Sequence, residues 1–149
     1  MNDGDRFTSA LHQQILKPLG FRKSARTFSR TFDAYSEHFN IQGSAWNSPG
    51  EPWTFYVNCA ISFPEIPVTS SGSGLWKYHA HTRLRHLVED SPAEFQVSEL
   101  NMAEVISEVS GLLARCSDYF QRRHQVIREA YIMKKFEGGF PFDPERNRG

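Results

Sequence analysis

Residues 53 to 63, WTFYVNCAISF, decide the fold. Trp53, Phe55, Val57, Cys59, Ile61 and Phe63 alternate with Thr54, Tyr56, Asn58, Ala60 and Ser62. Successive side chains of a strand point to opposite sides of a sheet. This period of two therefore predicts a long, half-buried antiparallel strand. Asn58 is expected on the side away from the six apolar residues, where its amide need not be buried.

Upstream, the same period recurs in RTFSRTF, residues 26–32, which sets Phe28, Arg30 and Phe32 against Thr27, Ser29 and Thr31. It recurs again in EHFNIQGSAW, residues 37–46, and NSPGEP, 47–52, is a turn. Before these strands, Phe7, Leu11 and Ile15 with Ala10 make one stripe of a helix over about residues 4–17. Gly4 marks its edge, and Pro18 and Gly20 stop it. Downstream, PEIPVTSSGSG, 64–74, is a flexible loop within the domain. LWKYHAH, 75–81, can add a strand, TRLRHLV a helical turn, and DSPAEF another turn.

The remainder reads as two helices. Asn101 is expected as an N-cap, with Glu104 completing a capping box and Leu100 packing on Val105. CSD, 116–118, offers a break at which Ser117 or Asp118 starts a second helix, which runs to about Lys135 and ends at Gly138 and Gly139. The expected fold is α+β in a single domain over 1–149. It comprises an N-terminal helix, an antiparallel sheet of three to four strands and two C-terminal helices packed on that sheet, with 137–149 an extended tail.

Lys plus Arg number 17, as do Asp plus Glu, so no global field draws the chain to nucleic acid or an anionic membrane. The charges lie in blocks. Arg22, Lys23, Arg26 and Arg30 have no acid among them. Residues 87–114 carry Glu89, Asp90, Glu94, Glu99, Glu104 and Glu108 without a base, and then come Arg115, Arg122, Arg123, Arg128, Lys134 and Lys135. Cys59 and Cys116 stand at apolar positions without metal-like spacing, as reduced core thiols do. The first residues, MNDGDRFTSA, lack the apolar stretch of a secretory leader. No apolar run approaches the roughly 18 residues of a membrane span, so a cytoplasmic location is expected.

LKPLGFRKSARTFSR, NIQGSAWNSPGEPWTFYVNCAISF and HAHTRLRHLVED together resemble the small bacterial proteins known as domain of unknown function 4304. The shared pattern is a Leu-Lys-x-x-Gly-Phe helix end with basic residues after it, the pairs Ile41-Gln42 and Val57-Asn58 on strands, and the pair Arg83-Leu84 before an acidic segment. The likeness spans about residues 10 to 120. The family tends to carry a Trp-Trp pair where this chain has EFQV, and its pattern does not include the histidine-rich stretch. The resemblance implies a bacterial, cytosolic, single-domain α+β protein, and implies no activity.

KYHAHTRLRH, 77–86, raises the chemical question. On a strand His79 and His81 point to one side, a start for a zinc or iron site with His86 a further candidate. No sure third ligand or carboxylate partner accompanies them, so the reading assigns no metal and no cofactor. Arg83 and Arg85 join Arg22, Lys23, Arg26 and Arg30 in one anion- or partner-binding patch if the two segments meet, and Trp46, Trp53 and Trp76 offer stacking faces. No GxSxG, HExxH, P-loop or GxGxxG appears, so no catalytic residue is assigned and an enzyme is disfavoured. Separated acidic and basic blocks suit a module that binds a protein, in preference to nucleic acid or membrane. The favoured expectation is a non-catalytic protein-binding module of a bacterial cytosol, such as an immunity-like inhibitor of a toxin. The alternatives are an anion or nucleic-acid binder using the arginine patch, and an enzyme or metal protein using His79 and His81.

Overall fold

A computed structural model describes residues 2–67, 77–136 and 139–141. Helix α1 (Asp3–Leu11) is capped by Asn2, whose side chain accepts from the Asp5 amide at 2.8 Å. A π-turn over His12–Leu16 carries the chain on to the stop at Pro18 and Gly20. Strands β1 (Arg22–Ser24), β2 (Thr27–Thr31), β3 (Ser36–Gly43), β4 (Trp53–Ser62), β5 (Ala80–Arg83) and β6 (Phe95–Val97) form one antiparallel sheet in the order β1-β2-β3-β4-β5. Strand β6 shares the β4 edge with β5, lying opposite Trp53–Phe55 while β5 lies opposite Asn58–Ile61. Helix α2 (Met102–Ile132) runs over the sheet.

The sheet therefore has more strands than the three to four expected. WTFYVNCAISF forms β4 as its period predicts. Because β4 is ten residues long and β5 covers only four of them, the first half of its edge is open to a second partner. That partner is Phe95–Val97, of which Phe95 is the last residue of the expected DSPAEF turn.

The expected break in the C-terminal helix is absent, and one 31-residue helix replaces two. The residues able to cap a new start are engaged otherwise. Ser117 Oγ donates to Glu37 Oε1 at 2.9 Å, and Asp118 pairs with Arg122 one turn on. Neither side chain competes for the helix backbone, so the helix continues. The anticipated capping box also differs: Asn101 turns its amide away from α2, accepting from the Ser98 amide and donating to the Gln96 carbonyl. Leu100, cast as a staple, is 98% exposed.

Trp53, Phe55, Val57, Cys59 and Ile61 turn toward α1 and α2, and the aromatic contacts are continuous. Phe7 meets Phe55 at 4.7 Å, Phe55 meets Phe95 at 5.2 Å, and Phe39 meets Phe120 at 6.4 Å. Each such buried ring contributes about 1.5–3 kcal/mol over exposure. Gly4 stands in the first turn of α1, at its edge as expected, and a Cβ there would sit 2.6 Å from the Trp53 indole; at Gly43 the distance is 2.7 Å. The two glycines let the indole lie flat between helix and sheet. Of the expected tail, Gly139 accepts from the His81 amide at 2.8 Å and Phe140 packs on Tyr119 and Phe120. Residues 137, 138 and 142–149, and the SSGSG loop with Trp76, lie outside the described residues.

Candidate functional site

The sheet face turned away from the helices is polar. Its central row reads Arg83, Asn58, Asn40, Thr27 across β5, β4, β3 and β2, and the next polar row reads His81, Ala60, His38, Ser29. Side chains in facing register are close enough to bond laterally. Asn58 Nδ2 donates to Asn40 Oδ1 (3.1 Å) and to Gln42 Oε1 (2.9 Å), while Asn40 Nδ2 donates to Thr27 Oγ1 (3.0 Å). Asn58 does point away from the apolar face, as its parity requires. It is nevertheless buried, because this polar network encloses it.

His38 forms a second network. Its Nδ1 meets Ser29 Oγ at 2.7 Å and its Nε2 meets Ser62 Oγ at 2.8 Å, while the Tyr78 ring stacks on it at 3.7 Å. Burial, aided by the Lys77 charge, pushes the imidazole down to about 3. The neutral ring donates one hydrogen bond and accepts the other. A serine–histidine pair resembles a nucleophile with its base, but so depressed a base has little driving force for taking a proton near neutral pH. The geometry suits a structural clamp across β2, β3 and β4. No sequence motif announced it, because its members are brought together only by strand register.

The histidines of KYHAHTRLRH do not share a side. The strand begins at Ala80, so the period-two argument does not reach His79. His79 is buried beside Phe63 and Tyr131. Its Nδ1 accepts from the Phe63 amide at 3.0 Å, which leaves Nε2–H to donate to the Ile66 carbonyl at 2.8 Å. Both ring nitrogens thus hold the chain that leaves β4, and burial lowers the ring's pKa. His81 lies on the polar face, its pKa also lowered by burial, and His86 is exposed on the turn Leu84–His86. Among the described residues no three His, Cys, Asp or Glu side chains gather as metal ligands.

The two basic segments do not meet. Strands β1 and β5 are at opposite ends of the strand order, with three strands between them, about 19 Å at the usual spacing. Arg83 stacks its guanidinium on Tyr56 at 4.4 Å, and its Nη1 is buried with no partner among the described residues; Arg85 is exposed. Arg22 and Lys23 are exposed on β1. Arg26 pairs with Asp5 at 3.1 Å and lies over Trp53. Arg30 pairs with the fully buried Glu37 at 2.6 Å and also bonds Ser117 and the Leu19 carbonyl. Burial raises the Glu37 pKa, against the hydrogen bonds of Arg30 and Ser117 that lower it. Arg26 and Arg30 therefore serve the fold. An open groove of about 550 Å³ lies elsewhere, between Leu87–Glu89 and the Arg115 and Arg122 side of α2.

Trp46 is expected from the sequence to offer a stacking face, and Leu100 to staple the start of α2. In the structure Trp46 is 91% exposed. Its loop is nevertheless tightly built: Asn47 grips Thr54 through both its amide and its carbonyl oxygen at 2.8 Å, and Ser44 N donates to the Thr54 carbonyl at 2.9 Å. Antiparallel pairing of β6 with β4 sends residues 98–101 to this same end of the sheet, so Leu100 and Trp46 flank β4 on its two sides. Trp46 and Leu100 are thus exposed on loops that hydrogen bonds brace.

Fold and site together define a small α+β domain with one polar, internally bonded sheet face and one apolar-tipped end. Residues 12–137 match the model of the domain of unknown function family DUF4304, and the chain belongs to that family. No curated protein and no solved structure matches it.

Proposed function

We propose that the chain is a non-catalytic protein-binding module that docks through the end carrying Trp46 and Leu100. The observation that carries this reading is a tryptophan 91% exposed on a hydrogen-bonded loop. Water around an indole is a standing cost, and a braced loop loses little entropy when a partner covers it. The buried thiols of Cys59 and Cys116 suit a reducing compartment, and the family resemblance adds the expectation of a bacterial cytosol. Occlusion of a toxin is the most specific form of this reading.

Trp46→Ala and Leu100→Ser test it. Both side chains are almost wholly in solvent, so each change is expected to alter stability by less than about 0.5 kcal/mol. Loss of either anchor is expected to weaken a complex purified from the native cell by about tenfold or more. Complexes recovered equally well with both variants would overturn the reading.

A further inference from the structure

The end that carries Trp46 and Leu100 also gathers acids. Asp3 and Asp5 stand in the first turn of α1, whose Gly4 abuts Trp53. Glu99 precedes Leu100 and is held by Arg6. Glu104 stands in the first turn of α2, and Glu51 on the hairpin loop beside Trp46. The bases within this group are Arg6 and Arg26, and both are already paired with Glu99 and Asp5. Five carboxylates against two guanidinium groups leave a net charge of −3 around two exposed apolar side chains. Helix N-termini favour nearby acids, which accounts for Asp3, Asp5 and Glu104. It does not account for Glu51 or Glu99, which lie on loops.

Resting on the protein-binding reading above, we propose that this end docks a basic protein surface, one that offers pockets for Trp46 and Leu100 within a ring of lysine and arginine. Such a rim repels nucleic-acid phosphates and anionic lipid and steers a cationic partner to the apolar anchors. Burying an indole and a leucyl side chain then supplies the holding energy. A basic block of this chain, from Arg115 to Arg128, is carried elsewhere, from the middle of α2 onward. A second copy meeting this end would use a different patch from the one it covers, and such head-to-tail contacts propagate unless they close into a ring.

The test places a photocrosslinking p-benzoylphenylalanine at position 46 of the full chain in its native cell, with position 126, exposed on the far half of α2, as control. The expected result is one protein crosslinked through position 46 and not 126, at a Lys- and Arg-rich peptide. With both proteins purified, association is expected to slow about tenfold or more between 50 and 500 mM NaCl, and equally in a Glu51→Lys/Glu104→Lys chain at low salt. A partner whose association responds to neither change overturns the inference and leaves the protein-binding reading standing. So does a second copy of this chain crosslinked at position 46, whereas a partner crosslinked only through position 126 overturns both the inference and the docking end proposed above. No protein adduct at either position overturns both.

Discussion

Asn58 and His38 show what a single residue's neighbours can do. Strand parity places both on the sheet face opposite the helices, and composition would leave both in water. Hydrogen bonds that Asn58 donates to Asn40 and Gln42, and the Tyr78 ring over His38, bury them instead. The consequence for His38 is a pH dependence. Its folded pKa of about 3 lies below its ordinary value of 6.5, so between these values the unfolded chain binds the extra proton. The clamp's contribution is therefore full above pH 6.5 and is lost progressively as pH falls toward 3, at up to about 1.4 kcal/mol per pH unit. His79 and His81, lowered in the same sense, add to the slope. His38→Gln keeps a polar side chain and is expected to flatten the decline in urea-unfolding stability between pH 6.5 and 4. An unchanged slope would show that the imidazole does not titrate as its burial demands. The polar network was not legible in the sequence, since Ser29, His38 and Ser62 are joined only by register. The orientation of each residue was legible, because parity alone sets it.

At the scale of an element, α2 ends where its backbone geometry dictates. The Lys135 amide donates to the Ala130 carbonyl and the Lys134 amide to the Tyr131 carbonyl, with Lys134 at φ +54°. This is a Schellman ending with lysine in the left-handed position that glycine fills at least cost. The sequence had suggested Gly138 and Gly139 for this role, too far along the chain. Lys134→Gly is expected to raise stability by about 0.5–1 kcal/mol. A thermal midpoint unchanged or lowered would contradict that. Strand β4 was legible because its alternation runs its whole length. β6 is only three residues long, too short to show a period, and forms because an edge of β4 awaits a partner.

Across the whole molecule, Arg30, Glu37 and Ser117 tie the sheet to α2. Removing one member of a buried pair strands the other. Arg30→Met is expected to cost about 3–5 kcal/mol, whereas Arg30→Met with Glu37→Leu should recover most of that loss. Chemical denaturation of the two variants decides it, and a double variant no more stable than the single one would refute the account. The same packing sets the charge blocks out in space. α2 begins beside β6 and reaches Tyr131 against His79, near the far end of β4. Glu104 and Glu108 thus lie toward the Trp46 end, and Arg122, Arg123 and Arg128 toward the other. The sequence by itself determined the class of fold, the long central strand, the direction of its side chains and the order of the charge blocks. All of these are properties of neighbours along the chain. Tertiary structure decided which arginines are spent on internal pairs, that His79 and His81 part company, that one helix runs where two were expected, and that Trp46 and Leu100 stand exposed at one end. These depend on which distant segments come into register and what then covers each side chain, and no local spacing encodes that.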